Sequence, residues 1–157
     1  MIETVIDYRE PLWLRVDLAH HISGLKMLKL HAGDVIISRN WPLTVIERKE
    51  VKDFLASIAV DPRADSVKGE SKINRQLREA AELGGQTILL LEGVWSPDSG
   101  YVKIGVRRLG WTVNAFVRKL EQLQRDFPGL VVLPSPNRAA TVAILVALVK
   151  AAGGEVS

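Results

Sequence analysis

Residues 33–49 read Gly33-Asp34-Val35-Ile36-Ile37-Ser38-Arg39-Asn40-Trp41-Pro42-Leu43-Thr44-Val45-Ile46-Glu47-Arg48-Lys49. Two β-branched runs, Val35-Ile36-Ile37 and Thr44-Val45-Ile46, flank a polar, proline-bearing centre, which is the pattern of a β-hairpin. With the tip between Asn40 and Trp41, Asp34 and Glu47 stand opposite each other. Opposed residues on antiparallel strands point to one face, so the two carboxylates meet. Lys49 shares that face because side chains alternate with a period of two, and Arg48 points the other way. A slip of one residue would undo the pairing, so the reading is conditional on the register.

Outward from the hairpin, the chain alternates strand and helix patterns. Thr4-Val5-Ile6 is a short apolar strand ending in Asp7. Glu10-Pro11 opens a helix in which Leu12, Val16, Ala19 and Ile22 recur at helical spacing, and Gly24 stops it. Leu25 to Leu30 reads as a strand. After the hairpin come a helix over Val51 to Ile58, a polar loop from Asp61 to Gly69, and an amphipathic helix over Lys72 to Leu83. Gln86 to Glu92 is a continuous apolar run, the signature of a strand buried on both faces. Val94 to Gly110 reads as a loop with one small strand at Tyr101-Val102-Lys103-Ile104. A helix over Thr112 to Asp126, a strand over Leu130 to Leu133 and a helix over Asn137 to Ala152 complete the chain. The expected class is α/β, one domain with a central mixed β-sheet flanked by helices.

With 157 residues, 47% of them hydrophobic, there is material for one core. The absence of cysteine excludes disulfides, thiolate metal sites and cysteine nucleophiles, and suits a reducing, intracellular setting. The first residues lack the pattern of a signal peptide. The longest apolar run, Val142 to Val149, falls short of the roughly 20 residues that span a bilayer, so no membrane is expected. A formal net charge of +3 tilts weakly toward an anionic partner.

Two carboxylates and a lysine at one spot make a specific device. Hard oxygen ligands suit Mg²⁺, which keeps waters and accepts a substrate phosphate as a further ligand. Lys49 is placed to orient a water or to stabilise charge on the attacked phosphodiester. Asp7, at the end of the first strand, supplies another metal ligand if that strand lies alongside. Arg39, Trp41, Lys72, Arg75 and Arg78 are candidates to meet phosphates and a base, with simple hairpin packing the first explanation for Trp41. His20, His21 and His31 form no metal constellation. Glu92 is read equally as a site residue or as the solvent edge of its strand. Val142, Leu145, Val146 and Val149 form an apolar stripe, explained first by core packing and second by a dimer contact.

Glu47-Arg48-Lys49, with Asp53 four positions after the lysine and Gly33-Asp34 upstream, resembles the GD…ERKxxxD signature of the XPF/Mus81 (ERCC4-type) nuclease family. Ile6-Asp7-Tyr8-Arg9-Glu10 resembles the family's opening V-D-x-R-E. Gly33-Asp34-Val35-Ile36-Ile37-Ser38 resembles its G-D-Y-x-x-S strand, and Leu90-Leu91-Glu92-Gly93 its L-I-E-G strand end, preceded by a helix carrying Arg75 and Gln76. The resemblance covers most of the chain to Gly93 and extends loosely to the last helix.

The resemblance implies a restriction-endonuclease-like core and an endonuclease that cuts branched, flapped or partly single-stranded DNA with Mg²⁺ or Mn²⁺. Asp7, Asp34 and Glu47 become candidate metal ligands, Lys49 the catalytic lysine, and Arg48 and Asp53 supporting residues of the catalytic site. Arg9 joins the candidate DNA contacts. It also implies a homodimer or heterodimer partner and roles in DNA repair or recombination. Well-studied family members carry a tandem helix-hairpin-helix module, for which these residues leave no room; either a partner supplies it or the domain works alone. The alternative is a non-catalytic DNA-binding or partner subunit that keeps the nuclease fold.

Overall fold

The computed structural model describes residues 2–38, 43–58 and 70–157. In chain order these form β1 (Glu3–Asp7), α1 (Leu12–His21), β2 (Lys26–Leu28), β3 (Val35–Ser38), β4 (Leu43–Glu50), α2 (Val51–Ile58), α3 (Lys72–Glu82) and β5 (Gly85–Glu92). There follow β6 (Ser96–Asp98), β7 (Tyr101–Ile104), β8 (Arg107–Thr112), α4 (Val113–Asp126), β9 (Leu130–Ser135) and α5 (Arg138–Ala151). The hairpin tip with Arg39 and Trp41, and the Asp61 to Gly69 loop, lie outside the described residues.

Six strands make one mixed sheet in the order β2-β1-β3-β4-β5-β9. β3 and β4 pair antiparallel with Val35 opposite Ile46, Ile36 opposite Val45 and Ile37 opposite Thr44, the register the hairpin reading requires. β1 is antiparallel to β3 and parallel to β2, while β4, β5 and β9 run parallel. The sheet is restriction-endonuclease-like, with helices on both faces.

Alternation along the strands assigns the two faces. Ile6, Val35, Ile46, Ile88 and Leu90 pack with Leu14 and Leu18 of α1 and with Val142, Leu145 and Val149 of α5. Leu89 and Leu91 turn to the other side, where they meet Phe54 of α2, Ile73 and Leu77 of α3, and Phe116 of α4. Val142, Leu145 and Val149 are thus core residues, the first explanation of the α5 stripe. Burying each of these Leu, Ile or Phe side chains contributes roughly 1.5–3 kcal/mol.

Residues 94–110 differ from the expected loop with one strand. β6, β7 and β8 form a separate three-stranded antiparallel sheet. Asp98 pairs with Tyr101, and the two intervening residues, Ser99 and Gly100, both have positive φ (50° and 82°). Positive φ at both central positions is what a tight turn needs to match the twist of its strands. The strands are three, four and six residues long, too short for their alternation to stand out in the sequence.

Gly33 holds the entry to β3 by a close approach. Its φ is +73°, and a Cβ there would lie 2.5 Å from Val45 Cγ1 and 3.4 Å from the Ile46 carbonyl oxygen. A side chain would therefore meet both backbone strain and a packed strand. Gly33→Ala is expected to cost about 2–4 kcal/mol, as a lowered urea midpoint with unchanged slope. Gly105→Ala, at φ +58° with nothing within 4 Å, carries only the conformational part and should cost less.

Candidate active site

One cross-strand row carries the acids. Ile6, Val35 and Ile46 are mutually aligned in the ladders. The next residue along each strand, Asp7, Asp34 and Glu47, therefore belongs to the opposite face. Asp34 has begun to leave the ladder: its N–H donates to the Ile46 carbonyl (2.8 Å), and its carbonyl accepts from Asp7 N–H (2.8 Å). The Asp34 carboxylate is fixed by the Arg48 backbone N–H, 2.7 Å from Oδ2. Asp34 and Glu47 line one cleft of about 200 Å³.

Glu47 is 2% exposed, and its Oε1 is approached by Lys49 Nζ at 3.2 Å and by Gln76 Nε2 at 2.6 Å. Burial pushes the Asp34 carboxyl up to about 8, reinforced by the neighbouring negative charge of Glu47. Burial likewise raises Glu47, and Lys49 opposes the shift. Two carboxyls therefore resist ionisation side by side.

Helix α3 walls the cleft. Lys72, Arg75, Gln76 and Glu79 all line it, at the i, i+3, i+4, i+7 spacing of one helical face. Ile73, Leu77 and Ala80 form the buried face of the same helix. Arg78 lies off both faces and pairs with Glu70 and Glu82, so it does not join Lys72 and Arg75 at the cleft. Arg78 is three residues from Arg75, so spacing alone does not exclude it and the fold does; Gln76 and Glu79, to which the sequence assigned no role, are found by the same spacing. His31 and Arg9 complete the lining.

Asp7 does not offer a free carboxylate. Arg9 reaches it through its backbone N–H and Nε at Oδ1 (2.7 and 2.9 Å) and through Nη2 at Oδ2 (2.6 Å), and the Leu30 N–H also donates to Oδ2 (2.9 Å). These bonds, the Arg9 side chain foremost, hold the Asp7 carboxyl down at about 2. Asp7 therefore anchors Arg9 on the cleft rim. Among the described residues, no three His, Cys, Asp or Glu side chains group to hold a metal ion.

Arg48 occupies the other face, as the alternation requires. Its Nε donates to Glu10 Oε2 (2.7 Å), its Nη1 lies 3.5 Å from Glu92 Oε2, and its guanidinium sits 5.9 Å from the Trp13 ring centre. Glu92 is buried and accepts from Thr141 Oγ1 (2.6 Å), which in turn contacts Ser135 Oγ (2.8 Å). Glu92 is thus part of an internal network behind the acids. Asp53 is exposed in the first turn of α2 and takes no part in the bonds linking Asp34, Glu47 and Lys49 among the described residues. His20 and His21 meet the chain end at Ser157, away from the cleft lining.

The sheet order and this cleft define a nuclease-fold protein, and sequence comparison agrees. The ERCC4 domain family model matches residues 6–148, and the chain belongs to that family. XPF from Aeropyrum pernix is similar in structure, with a TM-score of 0.67 at 19% identity over 96% of this chain. XPF from the same organism in complex with DNA gives a TM-score of 0.65 at 19% identity over 98% of this chain. The chain spans 65% and 66% of those two proteins. No curated relative matches. No helix among the described residues is long and apolar enough to cross a membrane.

The raised carboxyls set a sign for stability. The folded protein keeps the Asp34 proton to about pH 8, whereas the unfolded chain releases it near its ordinary value of 3.8. The folded state binds more protons in between, so metal-free protein should lose stability as pH rises from about 4 to about 8. Urea unfolding in chelator should show this slope, and Asp34→Asn should flatten it. A stability that rises with pH across that window would contradict the assignment.

Proposed function

We propose that this chain is a divalent-metal-dependent DNA endonuclease that hydrolyses phosphodiester bonds, with branched, flap or fork DNA as its substrate. The observation that carries the reading is the meeting of Asp34 and Glu47 in a cleft rimmed by Arg9, Lys72 and Arg75, with Lys49 paired to Glu47. Membership of the ERCC4 domain family supports it, as does the likeness to an XPF that has been solved with DNA.

The residues present fit Mg²⁺ or Mn²⁺. Asp34 and Glu47 supply two carboxylates, and the buried Gln76 Oε1 beside them has no hydrogen-bond partner among the described residues. One or two carboxylates with waters and a substrate phosphate are the usual surroundings of Mg²⁺. Bound there, the ion would neutralise the acids, polarise the phosphodiester and acidify a water.

The chain's own groups do the positioning. Gln76 and Lys49 hold the Glu47 carboxylate, and the Arg48 backbone N–H aims Asp34. The Lys49 ammonium sits where it can orient the attacking water and stabilise negative charge on the phosphorus oxygens. Arg9, Lys72 and Arg75 hold the flanking phosphates; Arg9 is half-exposed and fixed by Asp7, so it presents charge at little further entropic cost.

Cleavage of a labelled 3′-flap and of the matching duplex with Mn²⁺ tests the proposal. Asp34→Asn and Lys49→Ala should each lower cutting by about 10²-fold or more with folding retained. Mn²⁺ should also raise the melting temperature of the wild type, more at pH 8 than at pH 6, and not that of Asp34→Asn. The occupied Asp7 carboxylate favours a second reading, a DNA-binding partner subunit. Wild-type protein that binds DNA but neither cuts it nor responds to Mn²⁺ would establish that reading.

A further inference from the structure

Lys103 and Arg108 face each other across β7 and β8. Like charges directly opposed on neighbouring strands destabilise a sheet. Arg107 lies beside them, opposite Ile104. Among the described residues no carboxylate forms an ion pair with Lys103, Arg107 or Arg108. Arg108 instead stacks over Tyr101, its guanidinium carbon 5.1 Å from the ring centre. Such stacking orients the guanidinium without neutralising it. Nor do these residues serve the core. Val102 is fully buried, and Ile104, Leu109 and Trp111 pack with it against α2, α3 and α4. Alternation leaves Tyr101, Lys103 and Arg108 on the outward face, with Asp98 opposite Tyr101 and Arg107 on the other side with Ile104, and Val106 at the turn is 99% exposed.

The position of this ribbon relates it to the cleft. Ile104 lines a second cavity, of about 390 Å³, together with Glu50, Lys52 and Arg138. Glu50 directly follows Lys49 on β4, so the base of the ribbon adjoins the end of the strand that carries Glu47 and Lys49. A polyanion held at the cleft and continuing past that strand end would meet Lys52 and Arg138, which share this cavity with Glu50 and Glu92, and then the ribbon.

We propose that the outward face of the β6–β8 sheet, with Lys103 and Arg108, is a second DNA-contacting surface that binds backbone phosphates of the duplex flanking the cleft. The identity of the polyanion rests on the nuclease reading, while the ribbon's role is tested separately. Contacts of this kind position the substrate without reading its sequence. The opposed cations are tolerated in the free protein and become favourable once phosphates lie between them.

The experiment is fluorescence anisotropy of a labelled flap duplex in chelator, across a series of NaCl concentrations, alongside thermal melts. Combined Lys103→Ala and Arg108→Ala should weaken binding by about tenfold. It should also make the slope of log affinity against log salt shallower by about 2, for two lost phosphate contacts. Lys103→Glu alone converts the like-charge pair to an opposite one. It should keep or raise the melting temperature while lowering DNA affinity, a combination that a merely structural role cannot produce. Unchanged affinity and salt slope in both variants, with wild type binding measurably, would overturn the proposal and leave the nuclease reading intact. Wild type that binds no DNA would overturn both, and Asp34→Asn that binds but does not cut would separate them.

Discussion

Glu47 lies within a six-stranded sheet with almost no exposure, and holding a carboxylate there is the constraint around which the site is arranged. An isolated buried carboxylate is costly unless it is protonated, hydrogen-bonded or paired. Three neighbours answer that cost in different ways. Gln76 reaches across from α3 with an amide, Lys49 comes from two residues along the same strand, and Asp34 adds a second carboxyl that makes ionisation harder. The first two favour the charged form and the third opposes it. The balance leaves the pair short of positive charge. That shortage is the physical basis of the proposed cation site.

The strand that carries these groups is two-sided. Glu47 lines the cleft and pairs with Lys49 on the same side of the strand, while Arg48, between them, reaches Glu10 and Glu92 behind the sheet. Arg48 nevertheless touches the cleft through its backbone N–H on Asp34. Its side chain is held by Glu10 and lies against Trp13 of α1, with Glu92, which accepts from Thr141 of α5, 3.5 Å away. The residue whose backbone fixes an acid on one face thus has its side chain in an ion pair on the other. The sidedness follows from the two-residue period of the strand.

The two basic surfaces differ in kind. At the cleft, Arg9 has an internal partner in Asp7, and Lys72 and Arg75 share a helical face with Glu79. On the β6–β8 ribbon, Lys103 and Arg108 stand opposed with no internal carboxylate partner among the described residues. The first arrangement sets a few cations at defined points around the paired acids. The second concentrates charge where no chemistry is close, which suits binding a backbone more than acting on it.

Local pattern determined much of this protein. The β-branched runs and their polar turn carried the β3–β4 register, and with it the meeting of Asp34, Glu47 and Lys49 and the exclusion of Arg48. α2 and the core role of Val142, Leu145 and Val149 followed from periodicity in the same way. These features depend on residues a few positions apart, where strand and helix periods act directly. Tertiary structure decided the rest. The partners of the Asp7 carboxylate, Arg9 and Leu30, and the bond from Thr141 to Glu92, far along the chain, are set by the packed structure. Arg78 stands three residues from Arg75, as Lys72 does, and only the fold shows which face of α3 is turned to Glu47. The β6–β8 sheet stayed hidden because its strands are short and its one buried side chain, Val102, is anchored by helices elsewhere in sequence. Spacing shows which side chains share a face; only the packed structure shows which partner reaches each one first.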